Sequence, residues 1–367
     1  MASLTTKRRS TPPRPLRALA ALAALVTIGS LVGACSGSSE AEQTADGKSV
    51  LRYQGSAGQV TFPELAADLG YFQSIEPKWV GDTTSGPQDI QSVATGQTDF
   101  GMAFNGAVVK LRAAGSPITS VVSSYGADQG TFTGYFVLDG GSIAGARDLI
   151  GKKVGMNTLG AHHEFVVREW LAQQGLTPDE IKQVELIVVP PINTEQALRE
   201  GQIDVAALGG VFRETAVGRG GLRPLFTDSA IFGDFSYGTY VLRDDLIAKN
   251  PEAAKDFVQG TARAVRWTQT TPRDQVVAKF KEIIGKRGRN ENTQLTDYWR
   301  SPGIPVAGAV IADRELQTWI DWLVRNGELK SGELKAADLF TNEYNPYANG
   351  AYAATSGADG QALGVAK

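Results

Sequence analysis

Cysteine is almost missing from this chain of 367 residues, which holds one, Cys35. A lone thiol excludes a disulfide framework and a zinc–thiolate cluster. Histidine is nearly as scarce, limited to the neighbours His162 and His163. Adjacent residues on a helix point about 100° apart, so the pair does not easily share one metal; a helical metal site uses i, i+4 spacing. No metal and no cofactor is expected. Basic residues do not dominate, with 36 Lys and Arg against 39 Asp and Glu, so a nucleic-acid-binding face is excluded. No G-x-S-x-G elbow occurs, and a Ser-His-Asp hydrolase has no support. The one long apolar stretch, near the N-terminus, is too short to cross a ~30 Å hydrocarbon core as a permanent helix, and no second one follows it.

That stretch, Ala18 to Val32, follows Lys7, Arg8, Arg9, Arg14 and Arg17 and ends in Val32-Gly33-Ala34-Cys35. A basic n-region, a short apolar run and small residues before a cleavage point make a secretory leader over 1–34. The final four residues resemble a bacterial lipobox. The resemblance implies cleavage before Cys35, diacylation of its thiol, and attachment to the outer face of the cell membrane. Arg8-Arg9 leaves the twin-arginine export route open beside the general one. Losing the five leader basics takes the net charge from −3 to about −8. Residues 35–48 are small and polar and read as a flexible tether. The Gly- and Ala-rich residues 346–367 read as a loose tail.

Between these ends, strand and helix patterns alternate. Strands are expected at 50–54, 77–81, 100–104 and 118–123. An amphipathic helix carries Phe62, Leu65, Ala66, Leu69 and Phe72 at helical spacing, and further helices are expected at 87–95 and 107–114. The pattern resumes with strands at 153–156, 186–189, 205–208 and 239–242 and helices at 161–173 and 194–200. Asn250-Pro251-Glu252 starts another helix with a cap, a first-turn proline and a first-turn acid. Helices at 272–285 and 313–326 follow. Such alternation predicts an α/β fold with mostly parallel strands. One segment recurs: Gly96-Gln97-Thr98-Asp99-Phe100 returns as Gly201-Gln202-Ile203-Asp204-Val205. A spacing of this size suits two similar α/β lobes better than a solenoid.

The order of Asp68-Leu69-Gly70-Tyr71-Phe72, Ser85-Gly86-Pro87-Gln88, Gly96-Gln97-Thr98-Asp99, Asp148-Leu149-Ile150-Gly151-Lys152-Lys153-Val154 and Gly160-Ala161-His162 carries a family resemblance. The chain is similar to solute-binding proteins of ABC importers in the sulfonate, taurine, nitrate and thiamine-precursor group. The resemblance implies a two-lobed type II periplasmic-binding-protein fold with the ligand cleft between the lobes. Lobe 1 would comprise 49–138 and 240–345, and lobe 2 139–239, with hinges near Tyr135–Leu138 and Tyr240–Leu242. It further implies a monomer that hands a small solute to a permease and its ATPase, without catalysis. A pyrimidine synthase resembles the same fold, but that family relies on a cysteine-rich iron motif, and this chain has no cysteine to spare.

Ligands in parallel α/β sheets sit beyond the carboxyl ends of strands, where helix N-termini suit an anion. The candidates are Gln54 and Gly55 after the first strand, Ser85 and Gly86 at a helix start, Asn105 and Gly106 after the third strand, and Ser123 and Ser124 after the fourth. The second half adds Thr158, Gly160, Ala161, His162, Gly210, Arg213 and Tyr237. Arg213 is the cation expected to meet an acidic group, set against pairing with Glu214. Where sulfonate binders tend to have hydroxyl residues before the lobe-two histidine, this chain has Leu159-Gly160-Ala161 and keeps Thr158. A small organic anion is the expected ligand, with a thiamine-precursor pyrimidine, or sensing without transport, as alternatives.

Overall fold

The computed structural model describes residues 42–83 and 85–363. The leader and Cys35 lie outside the described residues. The elements run β1 (Ser49–Gly55), α1 (Phe62–Asp68), β2 (Ile75–Asp82), α2 (Gly86–Ala94), β3 (Phe100–Phe104), α3 (Asn105–Ala113), β4 (Ile118–Ala127) and β5 (Gly134–Leu138). They continue through β6 (Lys153–Met156), α4 (His162–Gln173), α5 (Pro178–Ile181), β7 (Glu185–Val188), α6 (Pro191–Arg199), β8 (Val205–Leu208), α7 (Gly210–Arg219), β9 (Leu222–Thr227) and α8 (Asp228–Phe232). The last are β10 (Phe235–Arg243), α9 (Asp244–Lys249), α10 (Pro251–Thr270), α11 (Arg273–Lys286) and α12 (Asp313–Arg325).

Two lobes result. In the first, β1 and β2 pair in parallel, and β10 lies between β3 and β4, antiparallel to both. In the second, the order is β7-β6-β8-β5-β9. There β6 runs parallel to β7 and β8, while β5 runs antiparallel to β8 and β9. The sheets are therefore mixed rather than mostly parallel. β5 and β10 are responsible: each enters its sheet from the other lobe, and a crossover within one sheet is what makes neighbours parallel. The chain passes between lobes at 128–133 and 228–234, just before β5 and β10, the strands that hold Tyr135–Leu138 and Tyr240–Leu242.

The recurring Gly-Gln-x-Asp segment builds the same turn twice. Gly96 and Gly201 end their helices at φ 77° and 71°, the left-handed region open to glycine. Asp99 Oδ2 accepts from Arg52 N at 2.8 Å, and Asp99 N donates to Arg52 O at 2.8 Å. Asp204 Oδ2 accepts from Lys153 N at 2.9 Å, and Asp204 N donates to Lys153 O at 2.8 Å. In each case the acid clamps the start of its strand to a neighbouring strand, midway along β1 and at the first residue of β6.

Helix starts follow local chemistry. Thr61 and Glu64 form a capping box on α1, and Asn250 caps α10 through Ala253 N at 3.2 Å. Leu316, Trp319, Ile320 and Leu323 form the buried stripe of α12. Trp319 is fully buried and meets Phe104 edge-on with ring centroids 4.5 Å apart. Phe165 of α4 joins that same core, so the two lobes share apolar packing beside the cleft.

Both chain ends of the folded body correct the expectation of looseness. Gln43 bridges Ser49, and Val50 N donates to Glu42 O at 2.7 Å, so residues 42–48 of the expected tether turn back onto β1. In the tail, Arg266 Nε donates to Ser356 O at 2.7 Å, Arg263 Nε to Ala358 O at 3.2 Å, and Tyr347 Oη to Gly357 O at 2.9 Å. Small residues let this segment lie close on α10, where the two arginines take up its carbonyls.

Gly260 of α10 faces Phe72, and an added Cβ would lie 2.4 Å from the ring. Alanine favours a helix over glycine by about 1 kcal/mol, yet overpacking costs about 1–3 kcal/mol. Gly260→Ala is therefore expected to lower stability in urea unfolding. An unchanged or raised midpoint would show that Phe72 swings aside freely.

Candidate functional site

The strands of both lobes end at a cleft with two adjoining compartments. The first encloses about 310 Å³ between the start of α2 (Gly86, Pro87) and Phe104, Tyr125, Gly126 and Tyr237 on one side. Opposite lie the starts of α4 (Ala161, His162, His163), α6 (Pro191, Thr194) and α7 (Gly209, Gly210, Phe212). Four helix N-termini thus meet one cavity. None of the four carries a side-chain cap. The positive ends of their dipoles face a guest, and their free first-turn N–H groups are available to it, fewer in α2 and α6, where Pro87 and Pro191 have none. Among the described residues, no lysine or arginine lines this compartment.

His162 forms much of its floor. Its ring stacks on Tyr237 with centroids 3.5 Å apart and planes 5° apart. Burial pulls its pKa down against the opposing effect of Asp228. A neutral ring gives its Nε2 hydrogen to Asp228 Oδ2 at 2.9 Å. Asp228 is fully buried and also accepts from Thr133 N at 2.9 Å, so it orients the ring and holds the 128–133 connection together. Burial, with His162 alongside, pushes His163 down to about 3. Both histidines are therefore uncharged near neutrality.

The second compartment, about 290 Å³, has Phe62, Tyr125, Tyr240, Phe280 and Trp299 among its walls. Gln54, Gly55 and Ser124 also border it. Its one charged lining residue among those described is Asp89. Burial pushes that carboxyl up to about 7, against a hydrogen bond from Met102 N at 2.8 Å. Tyr125 and Pro302 border both compartments.

Of the residues singled out in the sequence, Gly86, Thr158, Ala161, His162, Gly210 and Tyr237 line the first compartment, and Gln54, Gly55 and Ser124 the second. The others lie elsewhere. Asn105 is buried with its amide on Glu315 O at 3.0 Å, and Ser123 Oγ donates to Glu315 Oε2 at 3.2 Å. Gly106 is pressed between Phe104 and Phe165. Gly160 borders a separate surface hollow beside α3. Ser85 precedes α2 without capping it. Arg213 is turned away: its guanidinium lies 3.5 Å over the Phe132 ring, and its Nε donates to Glu214 Oε1 at 2.8 Å. The expected anion-binding cation is thus a buried structural pair, because Glu214 is its immediate neighbour and Phe132 covers it. Trp299 both packs on Phe280 and walls the second compartment. Sequence reasoning missed Asp89, Tyr125 and Thr133 as lining or supporting residues.

Two α/β lobes joined by two connections, with a cleft at converging strand ends, define the type II periplasmic-binding-protein architecture. The chain belongs to the NMT1/THI5-like family, whose sequence profile matches residues 60–275. A Brucella abortus protein provisionally named a binding protein is 28% identical over 207 residues, 54% of this chain and 60% of that protein. The match therefore spans less than two thirds of that relative's length. The 4-amino-5-hydroxymethyl-2-methylpyrimidine phosphate synthase of Candida albicans is 28% identical over 247 residues, 64% of this chain and 68% of the synthase. In structure, the alkanesulfonate-binding protein SsuA of Xanthomonas axonopodis pv. citri, bound to MOPS, aligns with a TM-score of 0.62 at 16% identity. That alignment covers 82% of this chain and 100% of SsuA; it shows a shared fold.

Asp89 also makes stability depend on pH in a stated direction. Its folded-state pKa is raised to about 7 from an ordinary value of 3.8. Its contribution is therefore full below about pH 4 and is lost as pH rises through 7. The depressed histidines act oppositely below their ordinary value of 6.5, so the whole-protein profile mixes both. The difference between variants isolates the carboxyl. Asp89→Asn is expected to gain stability relative to the parent chain between pH 5 and pH 8, read by urea unfolding at each pH. A constant difference would contradict a buried, proton-bearing Asp89.

Proposed function

We propose that this chain is a non-enzymatic solute-binding protein that captures a small organic anion and delivers it to an ABC importer. The observation that carries this reading is the convergence of four uncapped helix N-termini on one cavity. Backbone N–H groups and helix dipoles hold an acidic group without a buried lysine or arginine. The acidic end of a sulfonate, taurine or nitrate-like solute fits that chemistry. Family membership and the provisional naming of the Brucella abortus relative support a binding role. The single cysteine, at the expected lipid-attachment position, argues against the iron-dependent synthase chemistry.

Within this proposal the first lobe comprises 49–127 and 235–363, and the second 134–227, rather than the boundaries read from sequence. The lobes close over the solute by bending at 128–133 and 228–234. Arg300 Nε to Glu214 Oε2 at 2.7 Å and Arg325 to Glu169 at 2.9 Å would link the lobes in the closed form. The lipobox resemblance supports the further proposal that the protein is held at the outer face of the cell membrane by lipid on Cys35. A pyrimidine precursor of thiamine is the second reading, favoured by the aromatic walls of the second compartment.

A thermal-shift screen of the purified chain with sulfonates, taurine, nitrate and thiamine-precursor pyrimidines tests the reading. A solute at 100 times its dissociation constant should add about 2.7 kcal/mol of stability. Thr158→Glu, which sets a carboxylate at the first compartment, should weaken an anionic solute about tenfold, or 1.4 kcal/mol. Anion binding untouched by that substitution would remove the helix N-termini from the site.

A further inference from the structure

We propose that the Asp89 compartment receives a protonated amine or amidine-like group, so that the solute carries an acidic group at one end and a nitrogen donor on a compact, flat or alkyl body at the other. The inference rests on the reading of the first compartment as an acid-binding site, and it names the other half of the ligand.

The placement of Asp89 supports it. Gly86 and Pro87 at the start of α2 face the first compartment, and Asp89, in the same first turn, faces the second. One helix therefore offers its positive end to one compartment and a carboxyl to the next. Tyr125 borders both, so a single molecule can reach across.

The carboxyl is not committed elsewhere. Oδ2 accepts from Met102 N at 2.8 Å, while Oδ1 is buried without a partner among the described residues. Ser124 Oγ, bordering the same compartment, is likewise buried without one. Asp89 is 2% exposed. Arg287, which donates to Gln59 O at the edge of this compartment, is paired with Glu64 and Glu291, at 2.9 and 2.7 Å. Gly101 provides the seat: a Cβ there would lie 2.9 Å from the carboxyl carbon. A buried carboxyl with an idle oxygen is costly unless a donor completes it. The walls of Phe62, Tyr125, Tyr240, Phe280 and Trp299 add faces on which a cation or an aminated ring can rest. An acidic group would be repelled here, so the two compartments impose one orientation on a bifunctional solute.

Isothermal titration with a matched pair tests this: 4-(aminomethyl)benzenesulfonate and 4-methylbenzenesulfonate, equal in shape and differing in the amine. The aminated probe is expected to bind at least about tenfold more tightly, a difference of 1.4 kcal/mol. Asp89→Asn should abolish that preference, leaving the two probes with equal affinity, since the amide oxygen can still accept from Met102 N. Ser124→Ala, a smaller change, should reduce the preference a few-fold and guards against loss of fold in the first variant. Equal affinity for both probes, or a preference that survives both substitutions, overturns the proposal and leaves the acid-binding reading standing. Benzylamine bound in an Asp89-dependent way while the methyl probe does not bind would uphold the Asp89 site and sink the acid-binding reading instead. Failure of both the aminated probe and benzylamine to bind overturns the proposal.

Discussion

Two carboxylates decide where the cleft lies. Asp99 bonds to the backbone at Arg52, midway along β1, and Asp204 at Lys153, the first residue of β6. Since the same residues also donate their own N–H groups to that neighbour, β3 starts level with the middle of β1, and β8 with the start of β6. From those fixed points each strand runs on only a few residues to its end. The far ends, Gly55 and Phe104 in one lobe and Asn157 and Gly209 in the other, consequently open onto the same space. A slip at either turn would move a whole lobe's set of helix starts away from the cavity.

The electrostatics of that space follow from backbone rather than side chains. A helix that begins without a side-chain cap leaves its first N–H groups to water or to a guest. Elsewhere in the fold, Thr61, Thr177, Thr227 and Asn250 cap their own helices, while α3, α9, α11 and α12 start without a side-chain cap as well. At the cleft the corresponding positions are Ser85, Ala161, Pro190 and Gly209, and none bonds inward. Arg213, the obvious cation from sequence, is withdrawn behind Phe132 and neutralised by Glu214. The first compartment thus attracts negative charge without presenting a side-chain cation that would also hold it too generally. The second compartment reverses the sign with one carboxyl.

How much of this was legible in the sequence depended on how local its cause is. The Asn250-Pro251-Glu252 start and the stripe of α12 are local signals, and both elements form where expected. The Gly-Gln-x-Asp repeat was legible as well, because its turn uses only a glycine φ and one carboxylate. By contrast β9 was missed: Pro224 and Arg223 interrupt an edge strand that exists only because β5 pairs with it. The mixed strand directions also escaped, since they depend on the chain crossing between lobes. For the site, positions at the carboxyl ends of strands could be named from alternation alone. Asp89 could not, because an acid in the first turn of a helix reads as a dipole partner, and its burial depends on Gly101 in another element. The aromatic wall draws on residues 62, 125, 240, 280 and 299, too far apart in sequence for any periodic pattern to join them.

Arg213, removed from the ligand, has a more interesting position in the mechanics. Glu214 accepts from Arg213 on one oxygen and from Arg300 on the other. Arg300 adjoins Trp299, Ser301 and Pro302, all of which wall the second compartment. Ser301 in turn donates to Asp128 Oδ1 at 2.6 Å, in the connection between lobes. One carboxylate therefore ties α7, whose start faces the first compartment, to the loop that walls the second. Arg300 is half exposed, so this link is open to water on one side and need not be strong. A weak bond across the mouth suits a protein that has to release what it holds: a strong one would stabilise the closed form whether or not a solute were inside, and selection by the solute would be lost.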